Sequence, residues 1–316
     1  MTLIADDTTA DPGDERENID DTDEMATPAV TIDADMPPEL VADVAAQLAK
    51  LGVEVRSVEP APVVNEAKVI VVVSPKGGSG KTAVASNLSV ALSEQHPGRV
   101  VAVDLDVQFG NLEMALGLTV ENTLAQLART GRIDQTSLKL HLTPAAHDLF
   151  VLIGASDPVD ADSIDHTHVE KALELLRQSF EYIIVDTAAG LDERTLSALD
   201  CATDVLLVSS LDVASIRSLR TANDALDHLG LNARRQLLLN RADSKVGLEP
   251  SDAEEVMGMP ISVSVPSSRE IPLSLNLGKP VVVDEPKLPV ARQFRRLAEV
   301  YSPAAKQPTP RKRWFG

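Results

Sequence analysis

From residue 68 onward, hydrophobic residues come in short unbroken runs: "KVIVVVSP", "GRVVAVDLD", "DLFVLIG", "FEYIIVDT", "TDVLLVSS", "RQLLLNR" and "PISVSVP". Val/Ile/Leu runs without polar alternation predict strands buried on both faces. Residues 82–94, 168–179 and 213–229 carry helical spacing between them. Strands alternating with helices predict an α/β fold, a doubly wound and mainly parallel sheet over residues 67–285. No fixed-period repeat is present, which argues against a tandem of two such domains.

The flanks have other patterns. Residues 1–37 are rich in Asp, Glu, Thr and Ala. They have little to bury against the entropy of ordering, and so predict a disordered acidic leader. Residues 38–66 predict a short helix through Leu40, Val41, Val44, Leu48 and Leu51, then a linker marked by Pro60 and Pro62. Residues 286–316 form the last segment: "LPVARQFRRLAEVYS" predicts an amphipathic helix, and Pro303, Pro308 and Pro310 precede a basic-aromatic tail, Arg311, Lys312, Arg313, Trp314 and Phe315.

Composition and charge refine this picture. The formal charge is −19, but the first 40 residues hold 13 acids against Arg16 alone, so most of the acidity lies outside the folded body. Cys201 is the single cysteine, which argues against a disulfide framework, a cysteine-only metal site within one subunit, or an iron–sulfur cluster shared across a dimer. His166 and His168 have no acid or thiol cluster at ligand spacing around them and read as surface histidines. No run approaches the ~18–20 apolar residues of a spanning helix, and the acidic N-terminus is unlike a secretory signal, so the expected location is cytoplasmic.

The chemistry concentrates in "SPKGGSGKTAVASN", residues 74–87. A strand runs into glycines and then into a helix, which makes a phosphate nest from backbone N–H groups at a positive helix end. Lys81 is placed to neutralise phosphate and the Thr82 hydroxyl to ligate Mg²⁺. Pro75 stands where the common phosphate-loop pattern has glycine, and a second lysine, Lys76, follows it. Carboxylates are expected at the carboxyl ends of neighbouring strands. Asp104 and Asp106 end one such strand, alternating so that both can face the mouth. Asp186 ends another, before the small-residue loop Ala188–Gly190.

Lys-Gly-Gly-Ser-Gly-Lys-Thr at 76–82, Asp-x-Asp-x-Gln at 104–108 and "VDTAAG" at 185–190 resemble the deviant Walker ATPases of the ParA/MinD superfamily. "LLLNRAD" and "VPSSREIPLSLNLGKPVV" extend the resemblance over about residues 67–285. It implies a SIMIBI-type P-loop NTPase that binds ATP and Mg²⁺ and hydrolyses ATP slowly under the control of a partner. Gly77, Gly78, Ser79, Gly80, Lys81, Thr82 and Ala83 would hold the phosphates, and Asn240, with Arg241 and Pro266, the base. Thr82 would ligate the metal, with Asp104 and Asp186 in its outer shell. Asp106 would position the attacking water, and Lys76 would reach across an ATP-dependent homodimer to the partner's phosphates.

Within the superfamily, "DLDVQFGN" is similar to the CpaE/TadZ-like pilus-assembly ATPases. The expected function is therefore a dimerising switch that organises a machine such as a Flp/Tad pilus apparatus or the division site. A DNA-partitioning ATPase would need basic surface, for which the body offers only Arg217 with Arg220 and Arg234 with Arg235. A metabolic ligase on the same fold is a further alternative. The tail is the expected contact with an anionic membrane surface, at the inner face of the membrane or a pole, or with a pilus or division protein.

Overall fold

The computed structural model describes residues 67–302 and the backbone of two strands before them, β1 (Ala29–Ile32) and β2 (Glu54–Ser57). β1 and β2 pair in parallel as a sheet of their own, within a separate unit that ends at residue 63. The leader expected to be disordered over 1–37 therefore holds a strand, and the segment 38–66 holds its partner. "AVTI" is a short β-branched run of the kind strands favour, masked in the sequence by its acidic surroundings. The helix expected at residues 40–51 lies outside the described residues.

The larger unit is built on eight strands: β3 (Lys68–Val73), β4 (Val100–Leu105), β5 (Thr143–Pro144), β6 (Phe150–Ile153), β7 (Tyr182–Thr187), β8 (Asp204–Ser210), β9 (Arg234–Asn240) and β10 (Ile261–Val265). Their order is β10-β9-β8-β3-β7-β4-β6-β5, and every pairing is parallel except β5 with β6. β5 is a two-residue edge strand containing Pro144, a residue tolerated only where no further ladder bond is required. The longer helices are α1 (Lys81–Ser93), α2 (His166–Leu176), α3 (Glu193–Asp200), α4 (Val213–His228), α5 (Pro250–Met257), α6 (Glu270–Leu277) and α7 (Pro289–Tyr301).

Side-chain alternation along the central strands divides the core into two layers. Val69, Val71, Val101, Val103, Ile183 and Val185 face one layer; Ile70, Val72, Val100, Ala102 and Ile184 face the other, shared with α1 and α7. The same parity puts Asp104 and Asp186 on the α1 face. They are direct partners in the β4–β7 register, so the alternation that builds the core also sets two carboxylates side by side beneath the loop that starts α1.

α1 is buried over almost its whole length. Its many small residues, among them Ala83, Ala85, Ser86, Ser89 and Ala91, let it lie close on the sheet, and Asn87 ties it to the C-terminal region by accepting from the Val282 N–H at 3.1 Å. α7 packs on the same layer and buries Val290, Phe294, Leu297 and Tyr301. The boundary expected at residue 285 is thus too early. The amphipathic helix expected beyond the body completes its core, because its apolar stripe meets α1 and the sheet. Among the described residues, no helix is long and apolar enough to cross a membrane.

Candidate active site

Between β3 and α1 the chain turns through Gly78 and Gly80, with φ of 76° and 98°, values that side-chain-bearing residues rarely adopt. A Cβ at Gly80 would also collide with Asn240 Nδ2. Gly80 caps α1 without a side-chain hydrogen bond, whereas Asp165, Asp192 and Asp212 each cap their own helices with a carboxylate. The first N–H groups of α1 are left for an outside acceptor, and the helix dipole favours an anionic one.

A cavity of about 800 Å³ opens at this point. Gly77, Gly78, Gly80, Lys81, Thr82 and Ala83 form its phosphate end, Asp106 and Phe109 its side, and Asn240, Arg241 and Pro266 its far wall. Sequence reasoning missed the rest of that wall, Ser267–Arg269 with Ile271, Pro272 and Leu275, although "VPSSREIPLSLN" spells it out. Asn240 donates to the Ser79 carbonyl at 2.8 Å and accepts from the Arg241 N–H at 3.0 Å, so it braces the phosphate loop from β9. Arg241 holds a left-handed backbone, φ 53°.

Four of the expected site residues lie off the cavity wall. Ser79 is buried, with no hydrogen-bond partner for its hydroxyl. Asp104 sits beneath the cavity instead of facing its mouth, and accepts from the Asp106 and Leu112 N–H groups at 2.9 and 3.1 Å. It thereby anchors the turn that carries Asp106 to the wall, with Gly110 packed so closely on its carboxylate that a Cβ there would collide. Asp186 is fully buried, and neither of its oxygens has a hydrogen-bond partner of ordinary geometry, although the Thr82 hydroxyl lies beside it.

Lys76 is the fourth residue off the wall. Its ammonium lies 3.4 Å from Asp212 Oδ1 and 3.2 Å from Ser215 Oγ, at the start of α4. Nothing around "SLDVAS" announces this contact in the sequence. Partial burial works against the ionised form of Asp212, but bonds from Ser215 and Lys76 outweigh it and hold the carboxyl below its usual range.

The electrostatics beneath the cavity are unbalanced. Burial pushes Asp186 up to about 7 despite Thr82 and Lys81, and burial with the Asp186 charge pushes Asp104 well above its usual range. Burial also lowers Lys81, against the pull of Asp186 and Asp106. Two carboxylates, one with both oxygens free, next to a threonine hydroxyl and a desolvated lysine, fit a hydrated divalent cation with an anionic ligand. Thr82 would hold the Mg²⁺, with Asp186 reaching it through water.

The raised pKa has a consequence for stability. The folded chain retains a proton on Asp186 that the unfolded chain releases above its ordinary value of 3.8. This contribution is present at low pH, fades as pH rises towards 7 and is absent above. In the ligand-free protein, Asp186→Asn is therefore expected to be more favourable to stability at pH 8 than at pH 4, by roughly 1–4 kcal/mol, the scale on which a displaced titration acts on folding. Thermal melts at the two pH values check this, and a change in Tm no more favourable at pH 8 than at pH 4 would contradict it.

An uncapped helix start after a glycine turn, buried carboxylates beside a threonine hydroxyl and a cavity of about 800 Å³ at the carboxyl ends of a parallel sheet fit a Mg²⁺-dependent P-loop ATPase. The AAA domain family model matches residues 67–238, more than half of the chain. The putative septum site-determining protein MinD of Guillardia theta is 26% identical over 227 residues, covering 69% of this chain and 82% of that protein. Pyrococcus horikoshii MinD, solved with Mg-ADP, is 29% identical with a TM-score of 0.69, covering 77% of this chain and all of that one. A ParA family ATPase from Chlorobium tepidum is 27% identical with a TM-score of 0.68, covering 73% of this chain and 98% of the other. The chain belongs to this AAA domain family and is an ATPase of the ParA/MinD type, with ATP and Mg²⁺ as its ligands.

Proposed function

We propose that this ATPase is a dimerising switch whose ATP-bound form is a pair of chains and whose hydrolysis returns single chains. The observation that carries this reading is the place of Lys76. A phosphate-loop lysine that leaves its own cavity, and lies across a surface contact on α4, is available to a second chain at little cost. The Lys76–Asp212 pair is about half exposed, and such pairs contribute little stability.

In this reading the α1 N–H groups and Lys81 hold the phosphates, and Asn240, Arg241 and Pro266 enclose the base. Mg²⁺, when bound by Thr82 with Asp186 behind it, neutralises phosphate charge. Asp104 fixes the turn at 106–110, and Asp106 orients the attacking water. The Lys76 ammonium completes the partner's phosphate site, so that assembly and hydrolysis depend on one another.

The machine so organised is a membrane-associated one. The relatives' names point to the division site, and the "DLDVQFGN" element to a pilus apparatus of the CpaE/TadZ kind. DNA carriage finds less support, since Arg220 pairs with Asp224, Arg234 with Asp204 and Arg235 with Asp227. The tail, Arg311–Phe315, supplies the membrane or partner contact, and pairing two tails multiplies a weak attachment through effective concentration. Sedimentation of the wild-type protein tests the switch. A doubled mass with Mg-ATP and single chains with Mg-ADP are expected, and one mass under both conditions would reject it.

A further inference from the structure

On the side of the sheet that carries α1 and α7, two cavities of about 670 and 390 Å³ both border the later part of α1 and share His147 as a common wall. The first is rimmed by Glu94, Asp148, Arg295 and Glu299. The second has an apolar floor, Val90, Leu116, Leu149 and Val283, with Lys279 and Asp284 at its edge. Arg295, on the first, donates to the carbonyl of Val282, the residue before Val283 of the second, at 2.5 Å. At the division, His147 and Asp148 both hold left-handed backbone, φ 62° and 54°, a strain that structures keep where a side chain must be held in place. None of these groups takes part in the nucleotide site.

We propose that this trough seats the chain's own C-terminal segment, residues 303–316, with Trp314 and Phe315 on the apolar floor and Arg311, Lys312 and Arg313 along the acidic rim. Three features choose this occupant. The described chain ends at the trough: Glu299 lines it, and Ser302 Oγ lies 2.7 Å from Nε2 of His96, between the lining residues Gln95 and Pro97. The reach suffices, since twelve residues extend to about 40 Å, against about 20 Å for the whole of α1. The charges also match. Of the four trough carboxylates only Glu94 pairs with a described cation, Arg295 at 3.1 Å, leaving Asp148, Asp284 and Glu299 for the three basic residues. Seated in this way, the aromatic pair is withheld from lipid or partner until it is released. The inference goes beyond the switch reading and does not depend on it.

Trp314 is the only tryptophan, so its emission reports on the seat directly. The intact protein, without nucleotide or lipid, is expected to show emission blue-shifted from the urea-unfolded chain and acrylamide quenching several-fold weaker than that of a free tryptophan amide. Both should be independent of protein concentration. Val283→Asp should abolish the shift and the protection. The surface pair Asp148→Lys with Glu299→Lys should weaken both, and serves alone if the first variant does not fold. Solvent-like emission from the intact chain would overturn the proposal, as would protection unmoved by the variants. Protection that grows with concentration would assign the seat to a second copy's tail and overturn the intramolecular form.

Discussion

Asp106→Ala is expected to bind ATP, to lose about 10²–10⁴-fold in phosphate release, and to accumulate as the ATP-bound pair. The expected loss is the usual contribution of a positioned acid–base group. Asp106 is the carboxylate on the cavity wall, whereas Asp104 and Asp186 are buried beneath it. Its backbone N–H is fixed by Asp104, and its own Oδ1 accepts from the Phe109 N–H at 3.3 Å. Truncation gives up that one long bond, but the Asp104 carboxylate and the Gly110 N–H bond to the Asp106 carbonyl still hold the turn, so the chemistry should be lost and the fold kept. Binding without turnover then favours the paired form by mass action. Release of phosphate at the wild-type rate would remove Asp106 from the mechanism.

Local chemistry was legible in the sequence where it is written in consecutive residues. The strands are unbroken apolar runs, and the phosphate loop is a strand, a glycine turn and a helix in succession. Asp186 could be found because it ends such a run. Residues that act through distant contacts were not legible. Asp212 meets Lys76 from 136 positions away, and "SLDVAS" reads only as a helix cap. Asn240 could be named from resemblance to a family, but its hold on the Ser79 carbonyl depends on β9 and β3 being two strands apart in one sheet. The placing of α7 failed for a related reason. An amphipathic stripe shows that a helix packs, and its partner here, α1, lies some 200 residues earlier, so nothing local tied the segment to the body. β1 was hidden differently, as four β-branched or small residues inside an acidic stretch whose composition argued for disorder.

The two lysines of the loop separate the account's claims most sharply. Lys81 is buried at the phosphate end of the cavity between Asp186 and Asp106, and Lys81→Ala should weaken nucleotide binding by about 2–5 kcal/mol, the cost of removing one partner from a buried charge pair. Lys76 lies outside that cavity, on Asp212 and Ser215, and Lys76→Ala should leave the affinity of a single chain for ATP unchanged. Sedimentation of Lys76→Ala with saturating Mg-ATP is therefore the most direct test. The account predicts single chains carrying bound nucleotide and no turnover; a normal ATP-dependent pair that hydrolyses at the wild-type rate would contradict it.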